Sequence, residues 1–74
     1  MQPIKIDGYT LTEKEKFRLV QAINSAGINA NDDEDILEIM KDYTVKIEEM
    51  PHRSELVFKN KDFNGRHFII KREG

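Results

Sequence analysis

The sequence has no cysteine, no tryptophan and only two prolines in 74 residues. Without cysteine there is no disulfide framework, no thiolate metal site and no thiol nucleophile. No apolar run approaches the roughly 20 residues that a membrane-crossing helix needs, and no signal peptide is expected. Gly-rich phosphate loops are missing, and Ser25 and Ser54 sit in no nucleophile motif. A large charge of one sign is lacking too: 12 Lys and Arg face 14 Asp and Glu, for a net charge of -2. What remains is a chain that is 38% hydrophobic. Its apolar residues are periodic, which separates it from disordered sequences. One compact, water-soluble domain is expected over residues 1–74, located in the cytoplasm.

Size limits that domain. A single small core without staples supplies roughly 3–5 kcal/mol of stability. Binding only the folded form adds to this, which favours an interaction protein. Walling a deep substrate pocket with so few residues is hard, which disfavours an enzyme.

The elements follow from periodicity. Ile4 and Ile6 alternate with polar residues before the Asp7-Gly8 turn pair, giving a short strand that is expected to join a sheet edge. Thr12-Glu13-Lys14-Glu15 fits a capping box and opens a helix over residues 12–26. Phe17, Leu19, Val20, Ile23 and Ala26 fall on its apolar arc. Lys16 snorkels at the edge of that arc. Gly27 and Ile28 suit a Schellman ending. A second helix over residues 32–43 starts at Asn31 or Asp32. It buries Ile36, Ile39, Met40 and Tyr43 at helical spacing, with Leu37 on the flank. The period then turns to alternation. Strands are expected at residues 44–49, around Leu56-Val57-Phe58, and within residues 66–72. A loop over residues 60–65 would pair Val57 with Phe68 and Leu56 with Ile69. The expected fold is a small α+β domain of order β-α-α-β-β-β. Two amphipathic helices pack on a three- or four-stranded antiparallel sheet.

The near-neutral total hides a division. Residues 1–20 hold four basic and three acidic side chains, residues 21–50 two and eight, and residues 51–74 six and three. Asp32, Asp33, Asp35, Glu38 and Asp42 therefore form the first candidate site, an acidic helix surface that steers a basic protein partner. The plain alternative is a solvated helix whose first-turn acids complement the macrodipole. Arg53, Lys61, Phe63, Arg66 and Lys71 form the second candidate site, cations and a loop aromatic suited to single-stranded nucleic acid or another partner. The plain alternative there is core phenylalanines and ordinary surface cations. Self-association, as a homodimer, is a third expectation.

Other chemistries fit poorly. An EF-hand loop begun at Asn29 puts Glu34 where glycine belongs and Met40 where glutamate belongs. A winged helix-turn-helix would send the acidic second helix towards phosphates. His52, Glu55 and His67 contain the donors of an open zinc site, but His52 follows a proline in a loop. No catalytic residue, metal or cofactor is expected. The shortness and the Lys, Asn and Ile usage have the look of small accessory proteins of phages or mobile elements, a likeness of style that rests on no motif. The leading expectation is a regulatory or inhibitory binding protein.

Overall fold

The computed structural model describes residues 3–73. Its elements are β1 (Lys5–Ile6), β2 (Tyr9–Thr10), α1 (Glu13–Ser25), α2 (Asp33–Met40), β3 (Tyr43–Glu49), β4 (Ser54–Asn60) and β5 (Phe68–Lys71). The α+β class and the two helices are as the periodicity predicts. The strand order gains one member at the start. β1 does not join the main sheet. It pairs with β2 through Lys5↔Thr10 and Ile6↔Tyr9, forming a separate two-stranded hairpin. Asp7 and Gly8, at φ 49° and 81°, both take left-handed backbone, as a two-residue type I′ connection requires. The hairpin still lies beside the sheet: Asp7 Oδ2 accepts the Val45 amide at 3.0 Å, closing part of the β3 edge.

The helix ends are locally encoded. Thr12 Oγ1 accepts the Glu15 amide at 3.2 Å, and Glu15 Oε1 accepts the Thr12 amide at 2.8 Å, completing the capping box. Ile28 N–H donates to the Ile23 carbonyl and Gly27 N–H to that of Asn24, the two bonds of a Schellman ending. α2 is shorter than its periodicity predicts. It stops at Met40, and Tyr43 opens β3 instead of extending the helix face. Tyr43 is buried there, its ring 5.7 Å from Phe68 and its hydroxyl donating to the Arg66 carbonyl at 2.7 Å. A buried aromatic that meets Phe68 of β5 and the Arg66 carbonyl outweighs the propensity of one more helical turn.

The main sheet has the order β3-β4-β5 and is antiparallel throughout. Its second hairpin pairs Phe58↔Phe68, Val57↔Ile69 and Leu56↔Ile70. The Val57–Phe68 and Leu56–Ile69 pairing expected from sequence is off by one residue. Directly opposed residues share a face, so that register would have set half-buried Val57 beside buried Phe68. The observed one puts Leu56, Phe58, Phe68 and Ile70 together in the core. Ile4, Ile6 and Leu11, then Leu19 and Ile23 of α1, and Ile36 and Met40 of α2 close over them.

α1 turns differently from its apolar arc. Its fully buried residues are Glu15, Leu19 and Ile23. Phe17, two residues from Leu19 and so roughly 160° around the helix, is 63% exposed. The helix has rotated its buried stripe towards a carboxylate. Glu15 is 0% exposed, and besides the cap it accepts the Tyr9 hydroxyl and the Glu73 amide, each at 2.9 Å. That one side chain ties the N-terminal hairpin and the C-terminal segment to α1. Arg18 adds a 2.9 Å pair to Glu73.

Candidate functional site

The five acidic candidates gather on and around α2, and most of them have work inside the fold. Asp32 is the N-cap, accepting the Asp35 amide at 2.9 Å. Asp35 returns the bond, its Oδ2 accepting the Asn31 amide at 3.0 Å. Asp33 lies 3.4 Å from Lys16, the cation that the sequence reading brought to the edge of α1. Glu38 pairs with Lys41 at 2.7 Å and raises the affinity of that ammonium for its proton. Asp42 is exposed, and its side chain makes no hydrogen bond or ion pair among the described residues. Glu34, one turn ahead of Glu38, is likewise exposed and unpaired. A hydrogen bond to a backbone amide leaves a carboxylate its charge, so the surface stays negative despite these roles. Leu37 stands among the acids and is 45% exposed, an apolar side chain that the fold leaves open.

The basic candidates are divided by the sheet. Arg53 and Lys71 lie at one end of β4, where Arg53 Nε pairs with Glu55 at 3.3 Å and Lys71 stands opposite Glu55 in the ladder. Lys61, Phe63 and Arg66 lie at the other end, in the loop between β4 and β5. Lys59 belongs with them, one residue before Asn60 at the end of β4. Among the described residues Lys59, Lys61, Arg66 and Lys71 form no ion pair.

The loop is held by its own polar groups. Asn60 Oδ1 accepts the Asp62 amide, Asp62 Oδ1 accepts the Asn64 amide, and the Asp62 carbonyl accepts the Gly65 amide, all within 2.9–3.1 Å. His67 Nδ1 accepts the Asn60 amide at 3.0 Å, and the Lys61 amide reaches the Asp42 carbonyl at 2.8 Å. A Cβ at Gly65 would run into the Asn60 side chain, so this position takes glycine because the chain passes so close. At the tip Phe63 is 95% exposed. Phe58 and Phe68, by contrast, point into the core, so the open face of the sheet offers no aromatic. It presents Lys46, Lys59 and Lys71 with Val57 and Ile69, interspersed with Glu48 and Glu55.

Two surface depressions stand out, the first between the candidate sites and the second on α1. One, of about 280 Å³, runs between β1, α2 and the start of β3, lined by Ile6, Leu37, Met40 and Tyr43 and by Lys5, Lys41, Lys61 and Asp7. Lys5 is a member that only the tertiary fold supplies, since nothing in the sequence links it to Lys61. Another, of about 420 Å³, follows the outer surface of α1 beside Phe17 and is lined by that helix alone.

His52 and His67 do not meet. They flank opposite ends of β4, roughly 20 Å apart at the rise of a strand. No group of three or more metal-ligating side chains converges among the described residues. Tyr9 is half-buried and its titration is displaced. Burial and the Glu15 carboxylate push its hydroxyl above the usual 10.0, against the opposing pull of Arg72.

No family model, no curated protein and no solved structure matches this chain. Among the described residues no helix is long and apolar enough to cross a membrane.

Proposed function

We propose that this chain is a small non-enzymatic binding protein of the cytoplasm, regulatory or inhibitory in role, that engages a basic protein partner through α2. The observation that carries the reading is Leu37, nearly half exposed, with Glu34 one turn before it and Glu38 beside it. Carboxylates alone steer an encounter; an apolar anchor among them adds the desolvated contact that holds a partner. The complementary surface is a shallow apolar pocket rimmed by Lys or Arg. Asp32, Asp33 and Asp35 at the helix start and Asp42 beyond its end extend the negative field.

The test is capture from nuclease-treated native extract, with the captured protein identified and then purified. Glu34→Lys with Glu38→Lys and Asp42→Lys spares both capping aspartates and breaks only the exposed Glu38–Lys41 pair, so a retained fold is expected, read by circular dichroism. The expected result is a basic partner bound by the wild type and lost by the triple variant, with Leu37→Ala weakening it. Undiminished capture by the triple variant overturns the reading. Light scattering over a concentration series separates this from self-association.

A further inference from the structure

We propose a second site: the loop over residues 60–67 binds single-stranded nucleic acid, with Phe63 as a stacking platform for one base and Lys59, Lys61 and Arg66 holding the phosphates on either side. Three observations converge. Phe63 is almost wholly exposed, and it sits on a loop fixed by internal hydrogen bonds, so the ring is presented with little ordering left to do on binding. The three cations around it form no ion pair among the described residues, although the chain carries an acidic excess. Lys5 and Lys41 then share a groove with Lys61, where three cations outnumber the one carboxylate, Asp7, and carry positive charge from the loop towards β1.

Charge fixes the partner as an anion. The ring narrows the choice. It projects from a convex tip, so whatever covers it has either a matching pocket or a flat face that lies across it. An unstacked base on a flexible strand supplies the flat face, and its own backbone supplies phosphates for both flanks. A duplex keeps its bases stacked and paired, so it meets only the cations. The site is therefore selective for single strands without reading their sequence.

Fluorescence anisotropy of the intact protein with labelled oligothymidylate, oligouridylate and a hairpin duplex tests this at low salt. Single strands are expected to bind more tightly than the duplex, and the two oligomers together report whether the sugar matters. With three phosphates engaged, the slope of log affinity against log salt is about -2. Phe63→Ala is expected to lose roughly tenfold or more while keeping that slope. Lys61→Ala and Arg66→Ala are each expected to flatten it by about 0.7. All three positions are exposed, so circular dichroism should report an unchanged fold. No single-strand binding at low salt overturns the proposal. So does equal binding of the duplex with no effect of Phe63→Ala, or Phe63-dependent binding of polyglutamate in place of the oligonucleotides. Leu37 and Lys61 border one groove, but the readouts differ, oligonucleotide binding dependent on Phe63 here and capture of a basic protein there, so the failure of one reading is distinguishable from the failure of the other.

Discussion

The acidic helix and the basic loop carry charge of opposite sign, and they use it in opposite ways. Around α2 the carboxylates hold the structure together: Asp32 and Asp35 cap the helix, and Asp33 and Glu38 reach Lys16 and Lys41. In the loop after β4 the structure is held by backbone groups, Asn60, Asp62 and His67, while the side chains of Lys59, Lys61 and Arg66 form no ion pair among the described residues. An acid that caps a helix has a reason to be there whether or not anything binds it. A cation with no partner, beside a bare phenylalanine, has none in folding. The acidic cluster is thus the more conspicuous of the two in the sequence, and the basic loop is the less explained by the fold. Glu15 marks the extreme of the first kind. It is a buried carboxylate accepting three hydrogen bonds that bind β2, the α1 cap and the C-terminal segment.

If that contrast holds, mutations should grade accordingly. Glu15→Ala strands three donors, and at about 1 kcal/mol or more for each it removes roughly 3 kcal/mol or more, most of what so small a domain has. Urea denaturation should find the variant barely folded; a loss under about 1 kcal/mol would break the contrast at its strongest point. Asp32→Ala should cost about 1 kcal/mol, the usual loss for an N-cap, while Glu34→Ala two residues further on should stay within about 0.5 kcal/mol. Equal effects at the two sites would mean that capping does not distinguish them. Lys59→Ala, Lys61→Ala and Arg66→Ala should each leave the midpoint of thermal unfolding within measurement error. A clear destabilisation by any of them would give the cations a folding role and remove the reason for assigning them to a ligand.

A pH effect is the smallest. The folded state holds the Tyr9 hydroxyl above its usual 10.0, chiefly by burial and then by the Glu15 carboxylate. The protonated phenol is therefore the form that favours folding. Its contribution is fully present below pH 10 and is lost as pH rises through the folded-state value. Tyr9→Phe should remove this alkaline component, read by ultraviolet tyrosinate titration alongside circular dichroism. An unchanged alkaline limb in the variant would place the effect elsewhere.

Much of the local architecture is legible along the chain. The capping box at Thr12 and Glu15, the Gly27-Ile28 ending, the cap at Asp32 and the turn at Asp7-Gly8 each need only neighbouring residues, and each forms as the pattern predicts. The two charge clusters are legible for the same reason, since counting along the chain finds them. The misplacements share a different cause. Phe17 was expected on the apolar arc, Tyr43 on the second helix, and the last hairpin one residue out of its observed register. In each case a contact distant in sequence decided: Glu15 with Tyr9 and Glu73, Tyr43 with Arg66 and Phe68, and the facing rows Leu56–Ile70 and Phe58–Phe68. Periodicity gives an arc, and an arc half a helix wide leaves its centre open.

The sequence by itself determined the α+β class, the two helices, the caps and turns, and the separation of negative from positive charge, because those depend on interactions within a few residues; β2 and the assignment of Tyr43 to β3 it did not. Only the tertiary structure decided which charges are consumed. It set Lys16 against Asp33, buried Glu15, parted Arg53 and Lys71 from Lys61 and Arg66 by the length of β4, and brought Lys5 to the groove beside Lys61. Whether an ionic side chain has a partner depends on where the folded chain carries its neighbours, and no count along the sequence contains that information.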